Sequence, residues 1–234
     1  MRVLVTRPEP DGERTAAKLR DRGCEVMLAP LLRVEPVEAV LDGAWHVVAL
    51  TSVNAVRAIA GHPKLKKLLA LPAYAVGGRT ADAAVALGFV NVVSADGDAG
   101  DLVRVMKTHF RGGARVLHLA GEDRAGDLAG GLAGAAIDVE TVVVYRAVAA
   151  SVFPQDVRDA LSAGKLDGVL HFSRRTAETY IACAAAAGIS DQALAPVHYC
   201  LSQQVAEPLA AAGAGIIRTA GRPAEAALLD LVRG

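Results

Sequence analysis

Hydroxyl-bearing residues, glycines and arginines follow the predicted strands, where they could bind an anion. These strand exits are Thr6-Arg7, Thr51-Ser52, Gly77–Thr80, Gly121-Glu122, Ser173–Arg175 and Ser202-Gln203. In a doubly wound sheet all strand exits fall on one edge, where such folds bind ligands. Each exit also precedes a predicted helix, whose free N–H groups attract carboxylates and phosphates without a net basic charge. A helix N-cap is the simpler role for any single one. Their number favours an anionic ligand.

Tyr145 lies in a long predicted strand. The run Thr141–Val148 is rich in β-branched residues, and it exceeds the length that a single buried sheet position usually needs. A shorter run, Leu32–Val37, contains Pro36, which disfavours a central strand position. We interpret these two runs as the strands of a two-stranded hinge between two lobes. Tyr145 would then lie where the lobes face each other and a ligand could bind.

The sequence contains no motif for nucleotide or metal chemistry. It lacks G-x-G-x-x-G after a strand, a phosphate loop ending in Gly-Lys-Ser/Thr, G-x-S-x-G and H-E-x-x-H. None of the six histidines has a close-spaced partner, and we interpret them, including His118 and His171, as hydrogen-bonded structural residues. We therefore expect neither a metal nor a cofactor. Cys24, Cys183 and Cys200 form no C-x-x-C pair and are predicted to be buried thiols.

Composition limits the partners and the compartment. The 25 basic and 25 acidic residues give a net charge of zero, which argues against nucleic acid or an anionic membrane as a partner. The chain begins in a strand rather than in a signal segment, and no apolar run approaches the ~20 residues needed to span a bilayer. We expect a soluble cytoplasmic protein.

Strands alternate with helices along the chain, and the pattern occurs twice. This alternation predicts parallel sheets. The matching segments are Val3–Val26 with Val116–Val139, Val47–Ser52 with Val169–Ser173, and Tyr74–Gly88 with Tyr199–Gly213. We therefore predict an α/β fold of two doubly wound parallel-sheet lobes, an internal duplication with exchanged halves. The predicted boundaries are 1–33 with 150–234 for lobe 1, 38–142 for lobe 2, and 34–37 with 143–149 for a two-stranded β-ladder hinge.

The chain resembles the uroporphyrinogen-III synthase family along essentially its whole length. The matching segments are Val3–Pro8 (VLVTRP), Pro30–Leu32 (PLL), Thr51–Val56 (TSVNAV), Ala75–Gly77 with Thr80-Ala81, Val144–Arg146 (VYR), His171–Ser173 (HFS) and the final strand and helix. The resemblance implies a cofactor-independent cyclising lyase of haem biosynthesis. Its substrate would be linear hydroxymethylbilane, converted to uroporphyrinogen III by dehydration, inversion of ring D through a spiro intermediate and macrocycle closure. It leaves open a transient contact with hydroxymethylbilane synthase, and we expect a monomer.

The resemblance also assigns candidate site residues. The family's catalytic candidate is a tyrosine on the long hinge strand, which matches Tyr145. A tyrosine hydroxyl has an ordinary pKa of about 10, so it stays protonated at neutral pH and can donate a hydrogen bond to the departing hydroxyl. The expected substrate-binding residues are Arg7, Thr51, Ser52, Gly77, Thr80, Ser173 and Ser202. At the last strand exit the family often has Gly-Pro-Thr-Thr, whereas this chain has Ser202–Val205 (SQQV), so Val205 replaces the final threonine. That threonine therefore cannot be essential here.

Two other classes of protein fit part of the pattern. A two-lobed binding protein or sensor would close on a small anionic ligand without chemistry. A doubly wound transferase would use a nucleotide, although the glycine fingerprint is missing. Detection of type III isomer among the products would separate the synthase from both.

Overall fold

The computed structural model describes residues 1–123 and 126–232 of the chain. Contacts divide it into two compact units: unit 1 comprises Met1–Arg33 and Val148–Gly234, and unit 2 comprises Val34–Ala147. The unit boundaries fall inside two strands. The described strands are β1 (Arg2–Val5), β2 (Glu25–Leu28), β3 (Leu32–Pro36), β4 (Val47–Leu50), β5 (Ala73–Ala75), β6 (Val92–Ser94), β7 (Ala114–Gly121), β8 (Ile137–Ala149), β9 (Gly168–His171), β10 (Val197–Cys200) and β11 (Ile217–Thr219).

Helices connect most of these strands. They are α1 (Asp11–Arg20), α2 (Val53–Ala58), α3 (Leu65–Leu69), α4 (Gly78–Leu87), α5 (Ala99–His109), α6 (Leu128–Leu132), α7 (Gln155–Ser162), α8 (Arg174–Ala186), α9 (Ser190–Leu194), α10 (Gln203–Ala211) and α11 (Glu225–Leu229). The short α3 and α9 were not predicted from the sequence. The loop predicted at Gly121–Arg124 ends at a residue outside the described part of the chain.

Unit 1 is built on a parallel five-stranded sheet in the order β11-β10-β9-β1-β2. Neighbouring residues of β1 pack on opposite faces, because Leu4 lies in one hydrophobic cluster and Val3 in another. Helices α7, α8 and α10 contribute to the first cluster, whereas α1 and α11 contribute to the second. Helices therefore cover both faces of the sheet, as the doubly wound prediction requires.

Unit 2 repeats this arrangement with one added edge strand. Its sheet has the order β3-β8-β7-β4-β5-β6, with parallel pairing from β8 to β6. On β4, Val48 packs with α2 and α4, whereas Val47 packs with α5 and α6. The proline-containing β3 lies at the edge, where the missing N–H of Pro36 does not interrupt the sheet.

Strands β3 and β8 pair antiparallel. The Val37 N–H donates to the Val144 carbonyl and the Ala150 N–H donates to the Leu31 carbonyl, so rising numbers on one strand meet falling numbers on the other. That this ladder acts as a hinge stays a prediction.

The two sheets share one strand order, which agrees with the predicted repeat. Strands β2-β1-β9-β10-β11 of unit 1 correspond to β8-β7-β4-β5-β6 of unit 2. Their registers correspond too: Val169 lies beside Leu4 in unit 1, and Val48 lies beside Leu117 in unit 2. Each equivalent strand therefore ends at an equivalent edge of its own sheet.

Several side-chain predictions are confirmed. The three cysteines are free and buried, as predicted. The structure also places Tyr180 in the core, where its hydroxyl donates to the Ala193 carbonyl at 2.8 Å. His171 and His198 are buried and hydrogen-bonded to each other at 3.1 Å. None of the described helices is both long and apolar enough to cross a membrane.

Candidate active site

A cavity of about 600 Å³ lies at the carboxyl ends of the unit 2 strands. This size is within the range of pockets that hold drug-sized ligands. The lining residues are Thr51, Ser52, Val76, Asp98, Ala99, Gly100, His118, Gly121, Asp123, Gly126, Leu128 and Tyr145. Three predicted site residues, Thr51, Ser52 and Tyr145, thus lie in one cavity. Strand order explains the grouping, because β7 lies between β4 and β8.

Tyr145 reaches the cavity from β8. Its side chain is half-buried and packs against the apolar cluster around Val144 and Leu119. The Tyr145 carbonyl accepts a hydrogen bond from the Glu122 N–H at 3.0 Å, which ties β8 to the end of β7. The ring is therefore held by apolar packing, and the residue shares the cavity lining with the hydroxyl-bearing Thr51 and Ser52. This arrangement suits a hydrogen-bond donor toward a leaving oxygen.

A line of hydrogen bonds runs from the cavity into the sheet. Thr51 Oγ1 lies 3.0 Å from His118 Nε2, and His118 Nδ1 lies 3.3 Å from Thr141 Oγ1. Only 3 % of His118 is exposed. The ring is hydrogen-bonded, as predicted, but its place in the lining of the cavity was not predicted. Ser52, which follows Thr51 in the chain, caps α2, because the Ser52 hydroxyl accepts a hydrogen bond from the Asn54 N–H at 3.1 Å.

Two carboxylates, Asp98 and Asp123, also line the cavity. Asp98 caps α5 and accepts hydrogen bonds from the N–H groups of Asp101 and Gly100, which lower the pKa of its carboxyl group. The start of α5 therefore carries its own negative charge. The sequence-based prediction was that free N–H groups at helix starts bind the anion, but here Asp98 occupies two of them.

The other predicted residues of unit 2 do not line this cavity. Gly77 is the N-cap of α4, and its carbonyl accepts from the N–H groups of Thr80 and Ala81. Thr80 lies in the first turn of that helix and is buried. Their assignment as substrate ligands stays a prediction.

The predicted residues of unit 1 have well-defined local roles. The Arg7 guanidinium contacts the carboxylates of Asp11 at 3.0 Å and Glu225 at 3.1 Å, and it stacks over the Phe172 ring. Ser173 caps α8 through the Thr176 N–H, whereas Ser202, the N-cap of α10, makes no such bond. These contacts occupy Arg7 and Ser173 and leave the Ser202 hydroxyl without a capping role.

The sequence prediction missed His118, Asp98 and Asp123 as cavity residues, whereas Gly121 belongs to one of the predicted strand exits. In the sequence, Asp98 stands out only as part of a helix start. For His118 one signal was present, since it lies late in a strand that leads to such an exit. Local sequence could not place it beside Thr51, because that contact depends on which strands are neighbours.

The fold and the cavity together define a two-unit α/β protein with a candidate ligand site at the carboxyl ends of the parallel strands of unit 2. Among solved structures, the uroporphyrinogen-III synthetase from Helicobacter pylori is similar, with a TM-score of 0.67, 19% sequence identity, and coverage of 99% of this chain and 98% of that chain. A mutant uroporphyrinogen III synthase from Thermus thermophilus has a TM-score of 0.54, 17% identity, and coverage of 99% and 97%. At these identities the structures show a shared fold.

The sequence itself shows the family. The model of the family described as "Uroporphyrinogen-III synthase HemD" matches residues 13–230. The chain therefore belongs to the uroporphyrinogen-III synthase family, whose members are cyclising lyases of haem biosynthesis that act on a tetrapyrrole. A search of curated protein sequences finds no significant match.

Proposed function

We propose that this chain converts hydroxymethylbilane to uroporphyrinogen III and that the unit 2 cavity holds the reacting end of the substrate. The observation that carries the proposal is the presence of Tyr145, Thr51 and Ser52 in one cavity. Tyr145 donates a hydrogen bond to the departing hydroxyl, and its ring is fixed by apolar packing. Holding the flexible chain with its two ends adjacent contributes much of the remaining rate enhancement.

The acidic side chains suggest which part of the substrate enters the cavity. The Asp98 carboxylate would repel the carboxylate arms of hydroxymethylbilane but accept hydrogen bonds from pyrrole N–H groups. A carboxylate also stabilises the positive charge that develops on a pyrrole ring as its hydroxyl departs. We therefore place a pyrrole ring and its hydroxymethyl group in the cavity and the carboxylate arms outside it.

The experiment uses freshly generated hydroxymethylbilane, oxidises the products to porphyrins and separates the type I and type III isomers by chromatography. We expect type III to form in proportion to enzyme. Tyr145→Phe should lower its rate by about 100-fold, at the lower end of typical general-acid contributions. Tyr74→Phe is the matched control, because it removes a hydroxyl bonded to His109 in the same unit.

Two results would contradict this proposal in different ways. Only type I isomer, the spontaneous product, at every enzyme concentration would favour a non-catalytic binding protein. Wild-type rates from Tyr145→Phe would instead retain the activity and remove Tyr145 as its acid.

We further propose a monomer that works in the cytoplasm. Three free, buried cysteines fit a reducing compartment. Among the described residues, only five large hydrophobic side chains are exposed: Val40, Val85, Val90, Val152 and Ile216. Sedimentation velocity over a range of concentrations tests the monomer, and a concentration-dependent dimer would contradict it.

A further inference from the structure

A β-bulge lies where β7 and β8 reach the cavity. Ala120 pairs with Val143, but the next residue, Gly121, pairs with Tyr145, so Val144 has no opposite residue on β7. Successive side chains of a strand point to opposite faces of the sheet. An extra residue in one strand therefore changes which of its side chains lies opposite the next residue of the neighbouring strand. The bulge thus brings Tyr145 opposite Gly121.

Gly121 leaves the space that the Tyr145 ring occupies. A Cβ atom at residue 121 would lie 2.6 Å from Tyr145 Cζ and 2.8 Å from both its Cε2 and its hydroxyl oxygen. These separations are far shorter than the roughly 3.5–4.0 Å of a favourable carbon contact. The φ angle of Gly121 lies outside the left-handed region, so backbone conformation does not require a glycine. What glycine supplies here is room for the tyrosine.

We propose that Gly121 and the bulge beside it position the Tyr145 hydroxyl in the cavity, which makes Gly121 a positioning residue for the ring-inverting reaction. The inference rests on the proposed role of Tyr145. Any side chain at residue 121 displaces the ring. The atoms that such a side chain would meet lie at the far end of the Tyr145 side chain, which can shift without moving the backbone, so the β7–β8 backbone pairing should survive the substitution.

The first test is a double-mutant cycle with Gly121→Ala and Tyr145→Phe. Gly121→Ala should lower the kcat for type III formation by about 10- to 100-fold, as expected for a reacting group moved by about 1 Å. In the Tyr145→Phe background the same change should cost less than about 2-fold, because the hydroxyl is already absent. Gly112→Ala is the control: it precedes the same strand, and a Cβ there meets no atom within 4 Å.

A second readout reports the position of the ring without using activity. Ring-labelled tyrosine gives one set of NMR signals for each of the four tyrosines, and the set missing from Tyr145→Phe belongs to residue 145. Gly121→Ala should shift that set and leave Tyr180 and Tyr199, which lie in unit 1, unchanged.

The outcomes separate this inference from the proposed function. Unchanged signals and an unchanged type III rate in Gly121→Ala would overturn the positioning role of Gly121. Fully additive losses in the double variant would overturn it as well, since Gly121 would then act independently of the hydroxyl. A fully active Tyr145→Phe would overturn the acid role of Tyr145, and the NMR shift would still decide whether Gly121 sets the ring position.

Discussion

Thr51 and Thr141 bond opposite nitrogens of the same buried imidazole, but only Thr51 lines the cavity. The two hydroxyls therefore have similar structural environments and different access to substrate. Thr51→Val should lower kcat/KM by about 10-fold, the effect of losing a hydrogen bond worth roughly 1.4 kcal/mol. The measurement is the initial rate of type III formation over a range of substrate concentrations.

Thr141→Val provides the comparison for that result. Each substitution removes one hydrogen bond to His118, so each should lower the free energy of unfolding by about 1 kcal/mol. Only Thr51→Val should also lower activity. Equal losses of activity in both variants would mean that Thr51 acts only by holding the His118 ring.

Two serines of unit 1 lie at helix starts, and only one of them caps its helix through its hydroxyl group. The Ser173 hydroxyl accepts the Thr176 N–H at 3.1 Å, whereas the Ser202 hydroxyl caps nothing at the start of α10. Ser173→Ala should therefore lower the free energy of unfolding by about 1 kcal/mol, and Ser202→Ala by less than about 0.5 kcal/mol. Urea unfolding followed by circular dichroism measures both.

The same pair tests the assignment of Ser202 to the substrate. If Ser202 binds a carboxylate arm, Ser202→Ala should raise KM several-fold while the urea midpoint stays constant. An unchanged KM would remove Ser202 from the site. A loss of stability matching that of Ser173→Ala would show that it caps α10 after all.

Strands and helices were predictable where the sequence pattern that indicates them is local. Runs such as Val47–Leu50 are apolar on both faces, as buried parallel strands must be, and Pro36 identified an edge strand. Helix α3 has only five residues, too few for a helical period to appear in the sequence. The bulge at Gly121 could not be predicted either, because it is a property of two paired strands. The cavity depends on such long-range pairing, which is why only part of it was found from sequence.

At the scale of the whole molecule, each unit has its own hydrophobic clusters and its own titration behaviour. Unit 1 buries His171 and His198, while unit 2 contains Trp45, the only tryptophan of the chain. Burial lowers the pKa of His198 to about 4, and burial together with the charge of His198 holds the pKa of His171 well below its usual range. Both rings are therefore neutral in the folded protein at neutral pH.

Unit 1 buries these two histidines and unit 2 buries one, His118, so acid should weaken unit 1 more than unit 2. In the unfolded chain a histidine binds a proton near pH 6.5, so below that pH the unfolded state binds more protons and stability falls. This loss continues down to the folded pKa and reaches about 2 kcal/mol for His198 at pH 5, and burial of His171 adds to it in the same direction. The carboxylates with lowered pKa, such as Glu225, contribute only at lower pH. Between pH 7 and pH 5, the urea midpoint followed by circular dichroism should therefore fall further than the midpoint followed by Trp45 fluorescence.

His198→Gln should reduce this pH dependence, because it removes one of the two groups that must take up a proton on unfolding. His46→Gln is the control, since His46 is exposed and lies in unit 2. The quantity compared is the slope of the unfolding free energy with pH, so a lower absolute stability of His198→Gln does not affect the result. A slope identical to that of the native protein would show that His198 does not set the pH dependence of stability between pH 7 and pH 5.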